Sequence, residues 1–228
     1  MIIKGLVKLT LLDFPARLAA TVFLGGCNMR CPFCHNASLV LRDGGENISE
    51  ESFFAFLDGR RGKLGGVCIT GGEPTLYSEL PTFIRKIRSR GFAVKLDTNG
   101  TNPDMLESLI NEGLVDYVAM DIKSSKSGYP SASGVSNIDI SKIERSVNIL
   151  MEGKVDYEFR TTLVKELHTV TCMEEIGKWI CGAKRYFLQG FEDSGDLISD
   201  GLSAHDTKTV AEILRAVRVY VPNAQIRG

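Results

Sequence analysis

Three of the six cysteines in this 228-residue chain fall within eight positions, as Cys27-x3-Cys31-x2-Cys34 in GGCNMRCPFCHN. That spacing lets one short loop fold around a metal centre and present three thiolates to separate corners of an iron–sulfur cluster. A four-iron cube held this way keeps one iron without a protein ligand. An open iron accepts the amino and carboxylate groups of a small molecule, which turns an electron carrier into a catalyst. The rival reading is zinc, with His35 or a remote residue as fourth ligand. Adjacent Cys34 and His35 can hardly both reach one tetrahedral ion, and no second C-x2-C or H-x3-H pair exists. Cys68, in the apolar run VCIT, and Cys172 and Cys181, which flank a helical stretch, read as small buried hydrophobes rather than ligands.

The surroundings of the triad narrow the class further. With 27 basic and 28 acidic residues interspersed and a net charge of -1, the chain has no electrostatic footprint for nucleic acid or an anionic membrane. Its N-terminus, MIIKGLVKLTLLDFPARL, interrupts every apolar stretch with Lys4, Lys8 or Asp13, unlike a signal peptide or membrane span. A cytoplasmic location follows, and in that reducing compartment clustered cysteines read as metal binding. Without fixed-period repeats, low-complexity tracts or a Pro-rich linker, residues 1–228 are expected to form one domain.

The elements that must position the triad alternate. Runs rich in Val, Ile and Phe at about 18–24, 66–70, 92–97, 115–121, 155–164 and 184–190 are too continuous for a half-exposed sheet, and read as parallel strands buried on both faces. Helical patterns lie between them. Leu80, Phe83, Ile84 and Ile87 share a face and stop at Gly91; Asn102 and Pro103 open a helix with Leu106, Leu109 and Ile110 inward and Gly113 at its end. Val210, Ile213, Leu214 and Val217 mark the last helix, and others are expected near 49–58, 141–152 and 173–181. Six such units predict an α/β fold with a parallel sheet, open or curled into a barrel, whose ligands sit at the carboxyl ends of the strands. The cysteine loop, TGGEPT, DTNG and DIK follow four consecutive strands.

These features together resemble the radical S-adenosylmethionine (radical SAM) superfamily, over almost the whole chain. The lead-in KLTLLDFPARLAATVFLGGCNMRCPFCHN is similar to the glycyl-radical-enzyme activating branch, above all to activators of anaerobic ribonucleoside-triphosphate reductase, with the pyruvate formate-lyase activators next. The resemblance implies a partial, TIM-like (β/α)6 barrel, a 4Fe-4S cluster on Cys27, Cys31 and Cys34, and S-adenosyl-L-methionine (SAM) as cofactor. Branch members with extra clusters carry a cysteine-rich insert that is missing between Asn36 and Val67. A minimal, single-cluster activase is therefore expected.

The resemblance also assigns a cofactor pocket. Gly71 and Gly72 would bring backbone close to the methionine part of SAM, and Glu73 with Pro74 would orient its amino group. Asp97, Thr98 and Asn99 after the third strand, and Asp121 with Lys123 after the fourth, would line the pocket, the carboxylates taking ribose or amino protons and the lysine meeting the carboxylate. Phe33 and His35 would touch adenine. Arg160 and Gln189, polar residues in apolar runs, either face the ligand or pair structurally, Arg160 with Asp121 or Glu158.

The activity so implied is reductive cleavage of SAM to methionine and a 5′-deoxyadenosyl radical, which takes hydrogen from a backbone glycine of a partner glycyl radical enzyme. A flavodoxin- or ferredoxin-type protein would supply the electron. A small-molecule radical reaction, like that of 7-carboxy-7-deazaguanine synthase, is the alternative. The Ser/Gly-rich stretch 124–137 exceeds the usual connection length and is expected to move when the partner docks.

Overall fold

The computed structural model describes residues 1–41 and 47–227. Strands β1 (Ile3–Thr10), β2 (Ala19–Leu24), β3 (Gly66–Gly71), β4 (Ala93–Thr98), β5 (Tyr117–Asp121), β6 (Asp156–Leu163), β7 (Tyr186–Gly190) and β8 (Gln225–Arg227) pair in chain order. β1 is antiparallel to β2, and every later pair is parallel. The sheet is the partial α/β barrel expected, β2 to β7 being the six strands legible in the sequence. β1 and β8 add an edge at each side.

Helices α1 (Ala37–Leu41), α2 (Glu50–Asp58), α3 (Leu80–Arg88), α4 (Pro103–Asn111), α5 (Tyr129–Ser133), α6 (Ile140–Met151), α7 (Val170–Trp179) and α8 (Thr207–Arg218) run between the strands. Side-chain caps begin most of the crossover helices. Ser49, Asn102, Thr169 and Asp206 each accept from a backbone N–H in the first turn. Gly91 and Gly113, at φ 87° and 63°, end α3 and α4 as the sequence suggests. Leu80, Phe83, Ile84 and Ile87 are all buried, with Phe83 stacked on Phe53 of α2 at 5.3 Å.

The inner strands β2 to β6 are largely buried on both faces, but the faces differ in chemistry. In β4, Val94 and Leu96 join the apolar core, whereas Lys95 and Asp97 are bonded to each other. The period of two does the same in β3, where Ile69 is core while Cys68 and Thr70 neighbour Asp97. The barrel interior is thus a column of polar and charged side chains. No helix among the described residues is long and apolar enough to cross a membrane.

The stretch 124–137 is not without regular structure. It contains α5, Ser124, Ser125, Tyr129 and Ser133 are buried, and Ser133 O accepts from Arg30 N at 2.8 Å. Gly134, at φ 67°, packs so closely that a Cβ there would lie 2.1 Å from Arg30 O. The segment is a buttress for the cysteine loop.

Candidate functional site

The cysteine loop leaves β2 at Leu24 and is held from below. Gly72 N donates to Leu24 O at 2.8 Å, and Glu73 N to Gly26 O at 2.9 Å. A Cβ on Gly72 would sit 1.8 Å from Gly26 O, and one on Gly71 2.3 Å from Leu24 O. Gly71 also adopts φ 116°, a conformation closed to most side chains. The glycine pair is therefore required first by close backbone packing beneath the triad, and both glycines then line the cavity beside it.

That cavity, of about 260 Å³, opens at the carboxyl ends of the strands. Cys27, Cys31, Phe33, Cys34, His35, Gly71, Gly72, Asp97, Thr98, Asn99, Asp121, Lys123, Arg160 and Gln189 all line it. Met29, Asn36, Val40, Thr70 and Thr162 join them, none of which the sequence singled out. Asn36 could have been suspected as the polar residue next to His35, and its Nδ2 donates to Gly71 O at 3.4 Å.

Glu73 and Pro74 stand apart from the cavity wall. Glu73 is fully buried, and Oε1 accepts from Thr75 N, Thr75 Oγ1 and Thr98 Oγ1, while Oε2 accepts from Asn99 N. Both oxygens are occupied in tying the end of β3 to the end of β4, because a buried carboxylate without a cation needs every acceptor site filled. Its side chain thus holds Thr98 and Asn99 in place. Pro74 starts the single 3-10 turn Pro74–Leu76.

Charges cross the cavity floor as one chain. Lys95 bonds Asp97; Arg160 donates from Nη1 to Asp97 Oδ2 at 3.1 Å and from Nε to Asp121 Oδ1 at 2.8 Å; Lys123 donates to Asp121 Oδ2 at 3.0 Å. Both alternatives for Arg160 hold, since it is paired and on the wall. Glu158 instead accepts from Tyr117 and Arg227 at the other end of the barrel. Burial raises the Asp121 carboxyl, but Arg160 and then Lys123 outweigh it and hold the group well below the carboxylate range. Asp97 is likewise depressed, burial being overcome by Arg160 and Lys95.

Phe33 is buried between Lys123, whose Nζ lies 5.9 Å above its ring, and His168, edge-on at 6.0 Å. His168 fixes the Lys123 backbone, with Nε2 2.8 Å from Lys123 O and Nδ1 accepting from Val164 N at 3.0 Å. That pattern places the ring proton on Nε2. His35 is exposed, 6.0 Å from Phe191.

The three thiols share the cavity and one loop. Cys27 Sγ accepts from Met29 N at 3.4 Å and has Asn99 Nδ2 at 3.8 Å. Burial pushes the Cys31 thiol up to about 11 and raises Cys27 too, values that a bound metal reverses by deprotonating its ligands. Among the described residues no three His, Cys, Asp or Glu side chains gather as ligands of a single ion. A cluster, with its irons at separate corners, asks for no such convergence, and the donor set of three soft sulfurs fits it. The remaining cysteines correct one expectation: Cys68 is buried and Cys172 half-buried, but Cys181 is exposed.

A family model described as the radical SAM superfamily matches residues 21–169. The chain belongs to the radical SAM superfamily. Enzymes of this superfamily use a 4Fe-4S cluster and SAM. A Methanocaldococcus jannaschii protein provisionally named a glycyl-radical enzyme activating enzyme is 32% identical, over 99% of this chain and 95% of its own. The pyruvate formate-lyase-activating enzyme of Clostridium pasteurianum is 27% identical over 81% and 84% of the two chains. Shorter stretches match 7-carboxy-7-deazaguanine synthases. Among solved structures, Streptococcus suis SuiB bound to S-adenosylmethionine superposes with TM-score 0.69 at 14% identity, over 91% of this chain and 52% of that one. The radical SAM barrel is thereby shared, at an identity that speaks for fold alone.

Proposed function

We propose that the chain, as one cytoplasmic domain, is an activase that installs a glycyl radical on a partner enzyme, anaerobic ribonucleoside-triphosphate reductase being the first candidate. The observation that carries this reading is the state of the cavity floor. Its charged side chains Asp97, Arg160, Asp121 and Lys123 are bonded among themselves, with Lys95 behind them on Asp97, while Thr70, Asn99, Thr162 and Gln189 offer neutral donors and acceptors. A peptide backbone is neutral and matches such a lining. The resemblance to the Methanocaldococcus and Clostridium proteins, over 95% and 84% of their lengths, points the same way.

When bound, the cluster and SAM would supply one-electron radical chemistry, with a flavodoxin- or ferredoxin-type protein as electron donor. The chain's own residues bind and orient. Cys27, Cys31 and Cys34 hold the cluster. Gly71 and Gly72 would bring backbone close, Lys123 would meet the cofactor carboxylate, and Asp97, Asp121, Thr98 and Asn99 would accept from its ribose and amino groups. Phe33 and His35 flank adenine, and Arg160 with Gln189 closes the far wall. Positioning and exclusion of water are all that such chemistry asks of a protein.

The test is anaerobic incubation with SAM, a low-potential reductant and the candidate reductase, followed by electron paramagnetic resonance. A glycyl doublet on the reductase is the expected result. Deoxyadenosine released without a protein radical, and accelerated by a small substrate instead, would favour chemistry like that of the 7-carboxy-7-deazaguanine synthases, which match this chain only in part.

A further inference from the structure

The loop that joins β1 to β2 is a built turn that carries leucines outward. Thr10 Oγ1 accepts from Leu12 N and Asp13 N, both at 3.2 Å, Asp13 Oδ2 accepts from Thr21 Oγ1, and Arg17 N donates to Phe14 O. Phe14 is 3% exposed and packs with Ala19 and Tyr117, which anchors the turn. Leu11 and Leu12, just before it, are 71% and 88% exposed, and Leu9 and Leu18 are exposed as well. Single exposed leucines are ordinary on a protein surface. Four on one anchored hairpin make an apolar shoulder, the kind of surface that another molecule covers.

The unmatched charges around the shoulder are of one sign. Lys8 and Arg17 belong to the same hairpin, and Leu18 O accepts from Gly65 N at 2.8 Å, which brings Lys63 alongside. All three side chains are exposed and none forms an ion pair among the described residues, Arg17 resting 5.5 Å over the Phe14 ring. The neighbouring acids are already matched, Asp58 by Arg61 and Arg90, Asp116 by Arg88 and Asp156 by Arg185. A cavity of about 580 Å³ opens beside the turn, lined by Phe14, Pro15, Ala16 and Arg17 with Arg185 and Arg227. A second copy of this chain would set like charges against each other across a two-fold axis. An acidic segment with apolar side chains complements both the leucines and the cations.

We infer that this shoulder docks an acidic, apolar segment of the enzyme being activated, apart from the glycine segment that enters the mouth. Leu11 and Leu12 take the apolar side chains of that segment, and Lys8, Arg17 and Lys63 take its carboxylates. The inference rests on the activase reading. β2 begins beside the shoulder at Ala19 and ends at Leu24, where the cysteine loop leaves, a run of six residues or about 20 Å. A single folded domain of about 30 Å spans both places. Contact at the shoulder therefore strengthens the hold on the partner without touching the reacting atoms.

The experiment uses the anaerobically reconstituted full chain and the candidate reductase. Binding is followed by surface plasmon resonance, and glycyl radical formation is measured as a function of reductase concentration. The double variant Leu11→Ser with Leu12→Ser should weaken binding about tenfold, as loss of a central interface contact does, and raise the half-saturating reductase concentration to match. Its maximal rate, and its deoxyadenosine release without reductase, should stay at the wild-type level. Lys63→Glu should slow association and flatten its dependence on salt. Val219→Ser, equally exposed on the far side of the chain's last helix, is the control and should change nothing. Wild-type binding by the leucine variant, with the radical still formed, overturns the docking site and leaves the activase reading standing. A reductase that the wild-type chain neither binds nor activates overturns both. If the leucine variant instead loses a dimer seen by sedimentation of the wild type alone, or its flotation with phosphatidylserine vesicles, while binding the reductase normally, the shoulder belongs to a second copy or to a membrane and the inference falls.

Discussion

Arg160 on β6 and Asp121 on β5 stand directly opposite in the parallel register and are joined by Nε to Oδ1 at 2.8 Å. The same guanidinium reaches Asp97 on β4 with Nη1, so one side chain neutralises carboxylates from two strands. Lysine cannot reproduce that fork.

Arg160→Met therefore leaves two half-buried carboxylates with one lysine each, Lys95 and Lys123, and a stability loss of about 1–3 kcal/mol is expected by thermal unfolding. Arg160→Lys should regain much of the melting temperature but little of the SAM affinity, since one ammonium cannot hold both acids in place. Equal SAM binding by the lysine variant and the wild type would show that the fork does not shape the pocket.

Gly72→Ala places a methyl 1.8 Å from Gly26 O, against backbone that cannot give way without moving Cys27. The variant should fold but take up iron poorly, to be read as iron and sulfide per chain. Gly190→Ala, where nothing lies within 4 Å of the new Cβ, is the matched control and should load fully.

His168 gives stability a pH dependence. Burial first, against the Lys123 and Val164 backbone bonds, depresses its pKa below the ordinary 6.5. As pH falls below 6.5 the unfolded chain binds a proton that the folded chain refuses, so stability is full above that value and declines beneath it, by on the order of 1 kcal/mol. Melting curves from pH 7.5 to 5.5 should show the decline in the wild type, and a flatter one in His168→Gln. An identical slope in both would assign the effect to other groups.

Cysteine accessibility separates structural from surface thiols. In the metal-free chain, Cys181 should react with maleimide fastest and Cys68 slowest, because Cys68 is buried and burial pushes its thiol far up. Mass mapping of the labelled peptides reads the order, and early labelling of Cys68 would mean that the lumen opens.

The barrel was legible because β2 to β7 carry apolar residues on the core face of every strand, and crossover helices announce themselves through caps such as Asn102 and stops such as Gly91. β1 escaped notice since Lys4 and Lys8 dilute its pattern, and β8 since three residues make no pattern. α5 was hidden in Tyr-Pro-Ser-Ala-Ser, whose helix depends on packing against the cysteine loop and not on propensity. The cavity residues followed from strand ends, but their partners did not. That Lys95 would meet Asp97, or that Glu73 would turn inward to Thr98 and Asn99, depends on three-dimensional neighbours. Local composition carries no trace of them.

The most direct measurement is metal and sulfide analysis of the anaerobically reconstituted chain, with paramagnetic resonance of the reduced cluster before and after SAM is added. About four irons and four sulfides per chain, a signal that SAM perturbs, and loss of both when Cys27, Cys31 or Cys34 is replaced are the expected results. Stoichiometric zinc without sulfide, or SAM cleavage that survives replacement of any of the three cysteines, contradicts the assignment of the triad.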